Sequence, residues 1–211
     1  MKVLITAGPT REKLDAVRFL TNRSTGKMGY AMAEAARDAG HEVTLVSGPV
    51  ALPVPRGITL VPVESAAEMA EAVKERAPQM GLVVMCAAVA DYRPKQVFAG
   101  KMKKRDGDLV LELERTEDIL ASLGKMKSPG QILVGFAAET DDLLANAAGK
   151  LEKKNLDWIC ANDVSRPDIG FGSDENCVTL MGRDGRRYGI GPDTKRAVAE
   201  AILEIVTDSG Q

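Results

Sequence analysis

The sequence predicts an α/β fold: a doubly wound, mostly parallel sheet with helices on both faces and a C-terminal hairpin extension. Three observations lead there. Short continuous apolar runs, among them Val3-Leu4-Ile5, Leu82-Val83-Val84-Met85 and Ile132-Leu133-Val134, read as strands buried on both faces. Helical segments alternate with these runs, the order of a sheet wound by crossovers. After Gly172 the pattern changes to two runs about Gly182-Arg183-Asp184-Gly185, a hairpin.

Lys2 to Ile5 is the first strand and opens into Thr6-Ala7-Gly8-Pro9-Thr10. A polar insertion, Arg11 to Asn22, separates it from an alanine-rich helix, Met28 to Ala39, which stops at Gly40. Insertions at a strand's carboxyl end are where such sheets place ligands. Glu42 to Val46 is the second strand, and Pro49, Pro53 and Pro55 stiffen the loop to the third, Ile58 to Val63. Ser65 with Glu68 three residues on is a capping box. Gly81 to Cys86 is a central strand, opening into small residues and one carboxylate, Asp91. Phe98 to Asp108, glycine-flanked and basic, reads as a mobile flap at about 95–108. Leu109 to Leu113 alternates as an added strand, and Thr116 is expected to cap a helix from Glu117 to Leu123. Gln131 to Val134 is a buried strand, followed by a helix that Thr140 is expected to cap and that runs to about Lys154. Trp158 to Ala161 is the last parallel strand, ending at Asn162-Asp163. Cys177 to Met181 and Arg187 to Ile190 make the hairpin, and Pro192-Asp193-Thr194 opens a closing helix through Val206. One Rossmann-like unit spanning 1–211 is expected, without repeats or a low-complexity linker.

Composition excludes several functions. With 28 basic and 30 acidic residues the formal charge is −2, so no global attraction to nucleic acid or membrane is implied. A single histidine, His41, excludes histidine triads and multi-histidine metal sites. Cys86, Cys160 and Cys177 lack metal-ligand spacing, and Cys86 and Cys160, in apolar strand-like runs, read as buried small hydrophobes. No signal peptide or spanning apolar run is visible, which fits a cytoplasmic protein.

The stretch Phe19 to Gly29 is the candidate phosphate-gripping centre. Ser24, Thr25 and Gly26 fit a helix N-terminus, whose free N–H groups favour an anion. Asn22 adds an amide that both donates and accepts, and Lys27 a mobile charge. A helix cap with a packing glycine is the alternative. A Walker A loop fails on spacing, because Thr21 and Met28 occupy the places of its first glycine and its hydroxyl residue. A dinucleotide fingerprint fails because the second strand ends in Ser47-Gly48 rather than an acid. Asn22, Asp91, Phe136 and Asn162 come from strand-end loops, while Lys101, Lys103 and Lys104 with Lys150, Lys153 and Lys154 supply charge. That set would suit a triphosphate with magnesium near a carboxylate. Solvated lysines, a turn aspartate and a core phenylalanine are the alternatives.

The motifs Thr6-Ala7-Gly8-Pro9-Thr10-Arg11-Glu12, Asn22 to Gly29, Ala87 to Arg93, Lys101-Met102-Lys103-Lys104, Gly135 to Thr140, Lys154-Asn155-Leu156-Asp157 and Asn162-Asp163-Val164 closely resemble phosphopantothenoylcysteine synthetase of the bacterial, CTP-using kind. The likeness covers nearly the whole chain in order. It implies a ligase that joins 4′-phosphopantothenate to cysteine in coenzyme A synthesis through an acyl-cytidylate. It further implies catalytic roles for Asn22 and Lys101. A CTP pocket would draw on Met85, Cys86, Ala87, Asp91, Lys101, Phe136, Lys150 and Lys154. Arg18, Asn22, Ser24 and Gly26 would hold phosphopantothenate, and Asp91 would meet magnesium. Family members often carry Asn-Pro-Asp-Ile where this chain has Thr116-Glu117-Asp118-Ile119, another expected CTP contact. The resemblance implies a homodimer. In many bacteria the domain is fused behind a flavin-dependent decarboxylase, so a lone synthetase or an excised domain is expected. Two other readings are weighed. A short-chain reductase using NADP wants Tyr-x-x-x-Lys, and no tyrosine here has lysine four residues later. A CTP-sensing module needs neither Asn22 nor Lys101.

Overall fold

The computed structural model describes residues 1–104, 106–139, 143–163 and 172–208. Its strands and helices follow in order: β1 (Lys2–Ala7), β2 (Arg11–Lys13), β3 (Phe19–Thr21), α1 (Lys27–Asp38), β4 (Glu42–Ser47), β5 (Thr59–Pro62), α2 (Ala66–Arg76), β6 (Leu82–Met85), β7 (Tyr92–Pro94), β8 (Leu113–Arg115), α3 (Ile119–Met126), β9 (Ile132–Glu139), α4 (Leu143–Lys153), β10 (Trp158–Asp163), β11 (Glu175–Gly182), β12 (Arg187–Thr194) and α5 (Lys195–Asp208). Among the described residues, eight strands form one sheet in the order β12-β11-β10-β9-β6-β1-β4-β5. Six are parallel, and β11 and β12 extend one edge as an antiparallel hairpin. The predicted fold class is what the chain adopts.

Alternation along the strands builds two apolar layers. Leu82 and Val84 of β6 join Val134, Met32 and Ile202 on the α1–α5 side, while Val83 and Met85 join Leu133, Met69 and Leu123 on the side of α2, α3 and α4. From β1 the chain winds outward to β4 and β5, then returns to lay β6 on β1's other edge. The crossover point thus falls between β1 and β6, where open α/β sheets leave a crevice.

Local chemistry sets the helix ends. Ser65 accepts from the Glu68 N–H at 3.2 Å, and the Glu68 carboxylate accepts from the Glu64 N–H at 2.7 Å. Asn155, at φ 55, ends α4, and the Leu156 N–H reaches the Leu151 carbonyl at 3.0 Å. The expected Thr140 cap lies outside the described residues, as do Val164 and Arg105.

Several boundaries differ from the sequence reading. The polar insertion contains a hairpin, β2–β3, held because buried Glu12 accepts from the Ala66 N–H at 2.9 Å. The strand expected over Leu109 to Leu113 begins only at Leu113, where Glu114 meets Arg93 of β7 at 2.8 Å. Leu109 and Val110 pair with no strand and are 62% and 84% exposed. The following helix starts at Ile119 because Asp118 is its cap, accepting from the Ala121 N–H at 3.0 Å. The Thr116 hydroxyl donates instead to the Ala90 carbonyl at 2.6 Å. Pro192 and Asp193 still belong to β12, and Thr194 caps α5 by accepting from the Ala197 N–H at 3.2 Å.

Candidate active site

The carboxyl ends of β1 and β6 are stitched together. Thr6, fully buried, accepts through its hydroxyl from the N–H groups of Cys86 and Ala87 at 3.1 and 3.0 Å. The Ala88 N–H donates to the Gly8 carbonyl at 2.9 Å, and the Thr10 hydroxyl accepts from the Ala90 N–H at 3.0 Å. Asn22, exposed just beyond β3, donates from Nδ2 to the Ala88 carbonyl at 2.9 Å. The insertion therefore delivers Asn22 to the crossover point.

Gly26 caps α1 in the left-handed region, φ 79, and a Cβ there would stand 2.7 Å from Val50 Cγ1. A Cβ on Gly29 would meet Ala7 Cβ at 2.6 Å, so α1 rests directly on the end of β1. Ser24 Oγ accepts from the Gly26 N–H at 3.3 Å and shapes this turn. Lys27 is a held charge rather than a mobile one: its ammonium donates to Asp174 at 2.6 Å and to the Gly172 carbonyl at 3.2 Å. Burial, then the neighbouring Lys27 charge, lowers the pKa of Lys195, whose ammonium donates to the carbonyls of Ser173 and Glu175.

Beside the crossover point, on the α2–α3–α4 side, opens a cleft of about 480 Å³, a volume suited to a nucleotide-sized ligand. Met85, Ala87, Asp91, Thr116, Glu117, Asp118, Ile119, Phe136 and Lys154, all expected for nucleotide, line it together. Gly135 leaves room for Leu120 of the lining, since a Cβ there would lie 2.8 Å from Leu120 Cδ2. Lys154 pairs with Asp118 at 2.9 Å. Burial raises the Asp118 pKa, but the Ala121 N–H and the Lys154 ammonium outweigh it and hold the carboxyl below its usual range. Glu117 is held low by Lys74, at 2.7 Å, and by the Ser122 hydroxyl. Asp91 is exposed in the cleft, and its carbonyl accepts from the Thr116 N–H at 2.9 Å. Among the described residues no group of three or more His, Cys, Asp or Glu could hold a metal ion. A divalent ion at Asp91 would therefore take most of its oxygens from a bound phosphate chain.

Sequence reasoning missed four lining residues: Val89, Tyr92, Arg115 and Leu120. Arg115 matters most, being an exposed cation without a salt bridge to any described residue. Its place at the end of β8, beside Thr116, was the available signal.

Cys86, Lys101, Lys150 and Arg18, also expected at the site, stand outside the cleft lining. Cys86 faces the α1–α5 layer, where burial pushes its thiol up to about 12; its N–H and that of Ala87 are already given to Thr6. Phe136 lines the cleft from the middle of β9, but it too packs on the α1–α5 layer, so it is not an unpacked plate for a base. Lys150 does not line the cleft, and Lys154 lies one residue past the end of α4. Lys101 is exposed and outside the cleft lining. Its segment is drawn instead to the β2–β3 turn: the Phe98 N–H donates to the Leu14 carbonyl at 3.0 Å, and Met102 bonds Asp15 and Arg18. Arg18 lies in that same turn, its guanidinium forked on Asp15. The expected convergence of lysines thus reduces, in this structure, to Lys154 with Arg115. Asn162, at the end of β10, keeps a buried Oδ1 without a hydrogen-bond partner.

Comparison with known proteins gives a consistent result. A family model described as the DNA/pantothenate metabolism flavoprotein C-terminal domain matches residues 1–209. The Coenzyme A biosynthesis bifunctional protein CoaBC of Bacillus subtilis (strain 168) is 54% identical over 203 residues, covering 96% of this chain and 50% of the relative. Its namesake in Escherichia coli (strain K12) is 46% identical over 211 residues, covering 98% and 52%. A crystal structure of the C-terminal domain of CoaBC matches with a TM-score of 0.85 at 48% identity, covering 99% of this chain and 94% of that one. The chain spans about half the length of the curated relatives it matches. Among the described residues no helix is long and apolar enough to cross a membrane.

Proposed function

The chain belongs to the DNA/pantothenate metabolism flavoprotein C-terminal domain family, and from that premise we propose that it is a phosphopantothenate–cysteine ligase driven by CTP. One juxtaposition carries the reading. Asn22 is bonded to the carbonyl of Ala88, whose neighbours Ala87 and Val89 both line the cleft, so an amide stands at the margin of a nucleotide-sized space.

CTP occupies that cleft, with its phosphates toward Asn22. The carboxylate of 4′-phosphopantothenate attacks the α-phosphorus, and the bond to pyrophosphate breaks. An acyl-cytidylate remains. The cysteine amine then attacks the carbonyl carbon, the acyl C–O bond breaks, and CMP leaves with the oxygen that began on the carboxylate. A carboxylate approaching a tetra-anionic triphosphate needs cations already in place. Lys154 and Arg115 supply charge within the cleft, and Lys101 adds to it from the flap. A magnesium ion, were one bound, would offset phosphate charge, and the exposed Asp91 carboxylate in the cleft would hold it. Arg18, Ser24 and the Gly26 turn hold phosphopantothenate on the Asn22 side. The Asn22 amide steadies the oxygens whose charge changes in both steps.

A homodimer fits the same picture. Val17 and Phe19 of the β2–β3 hairpin, and Tyr92, Val97 and Leu113 in and between β7 and β8, leave apolar side chains exposed that a second copy could cover. The protein works in the cytoplasm, with small-molecule substrates and neither nucleic acid nor membrane as partner. Pyrophosphate release should require CTP, magnesium and phosphopantothenate together; release with NADPH in place of CTP, or none with the full set, would overturn the assignment.

A further inference from the structure

Where the β2–β3 turn meets the flap lies a buried carboxylate that the chemistry above does not use. Asp15 sits in the β2–β3 turn with no exposed side-chain area. Its two oxygens divide their partners. Oδ1 accepts from the Val17 and Arg18 N–H groups, both at 2.8 Å, which fixes the turn. Oδ2 accepts from Arg18 Nε at 3.0 Å, from Arg18 Nη2 at 2.5 Å and from the Met102 N–H at 3.0 Å. Arg18 Nη2 completes a ring by donating to the Met102 carbonyl at 3.2 Å. Met102 is the residue between Lys101 and Lys103.

We infer that Asp15 is a positioning residue: by holding Met102 it fixes where Lys101 of the basic flap stands relative to Asn22. The same hairpin carries both ends of the relation. Its turn grips Met102, and its second strand runs directly into Asn22, which is anchored on Ala88. The hairpin is itself tied down, by Glu12 on the Ala66 N–H and by the Arg11 N–H on the Glu64 carbonyl at 2.7 Å. Charge-assisted bonds to one buried acceptor are strong enough to hold a loop that has no sheet partner of its own. The flap is therefore rooted at Phe98 and Met102, and freedom is left to the lysine side chains. The catalytic consequence rests on the ligase reading; the latch itself does not.

The division between the oxygens gives a selective test. In Asp15→Asn the Asn Oδ1 still accepts from Val17 and Arg18, while a donor replaces the acceptor facing Met102 and the guanidinium. Tryptic cleavage after Lys101, Lys103 or Lys104 should accelerate about tenfold, with the rest of the chain cut at its original rate. The kcat for CTP- and phosphopantothenate-dependent pyrophosphate release should fall about tenfold while KM for CTP changes less than about twofold, and Asp15→Glu should recover most of the loss. Unchanged flap cleavage in Asp15→Asn, or a loss carried wholly by KM for CTP, overturns the inference. If Asp15→Asn does not fold, Arg18→Gln removes the guanidinium's bonds to Asp15 Oδ2 and to the Met102 carbonyl, leaves the Met102 N–H on Asp15, and should raise flap cleavage about threefold; no rise overturns the latch equally. An unaltered chain that releases no pyrophosphate defeats the ligase assignment and leaves the cleavage result to judge the latch by itself.

Discussion

The side-chain amide of Asn22 donates to the main-chain carbonyl of Ala88 at 2.9 Å, joining an insertion after β1 to the loop after β6. These are the two strands at which the sheet reverses its winding order. On the ligase reading, a polar group fixed there would be preorganised for charge developing in the cleft beside it.

Asn22→Ala should leave CTP binding within about twofold and lower product formation by about 10²–10³-fold, the loss expected for one preorganised donor. Calorimetric CTP titration beside a product assay separates the two. Equal loss of both would reassign Asn22 to nucleotide binding.

Thr6→Val should cost about 1–3 kcal/mol of stability, because the part-buried N–H groups of Cys86 and Ala87 lose their acceptor with no change in side-chain shape. Urea unfolding measures it. A cost under about 0.5 kcal/mol would mean that the β1–β6 seam is held by the strand ladder alone.

How much of this was legible in the sequence varies by element. β1, β6 and β9 announce themselves because both their faces are buried, so apolar residues run without interruption. The hairpin β2–β3 does not, since Arg11-Glu12-Lys13 looks solvated and Glu12 is buried only through a bond to a helix 54 residues away. Much of the cleft lining was readable, because Met85, Ala87 and Asp91 lie at or just past the carboxyl end of β6 and Thr116 to Ile119 lead from β8 into α3. The charge map was not. A run of lysines has no direction in a sequence, and here Asp15 draws the flap to the hairpin while Arg115, alone in its strand, enters the cleft.

Lys101→Gln should slow the pyrophosphate burst of the first half-reaction by about 10²-fold while the second half-reaction, started from preformed acyl-cytidylate, keeps its rate. Rapid-quench measurement reads both. An unchanged burst would make the flap a cover and nothing more.

Acid should loosen the fold in a definite window. Arg37, then Arg196, pulls the Asp38 carboxyl down to about 2, and Asp15, Glu117 and Asp174 are lowered by Arg18, Lys74 and Lys27 respectively. Each folded-state pKa lies below its unfolded value, so the unfolded chain binds more protons as pH falls. The urea midpoint should hold level above about pH 5 and drop between about pH 4 and 2, and Asp15→Asn should make that drop shallower. A midpoint level down to about pH 3 would contradict it.

The claim beneath the catalytic predictions is that a carboxylate oxygen becomes bonded to the α-phosphorus of CTP in this cleft. Turnover of phosphopantothenate labelled with oxygen-18 in its carboxylate, followed by mass spectrometry of the nucleotide product, tests that directly. One labelled oxygen in CMP is the predicted result; label in phosphate or pyrophosphate, or CMP carrying none, would contradict it.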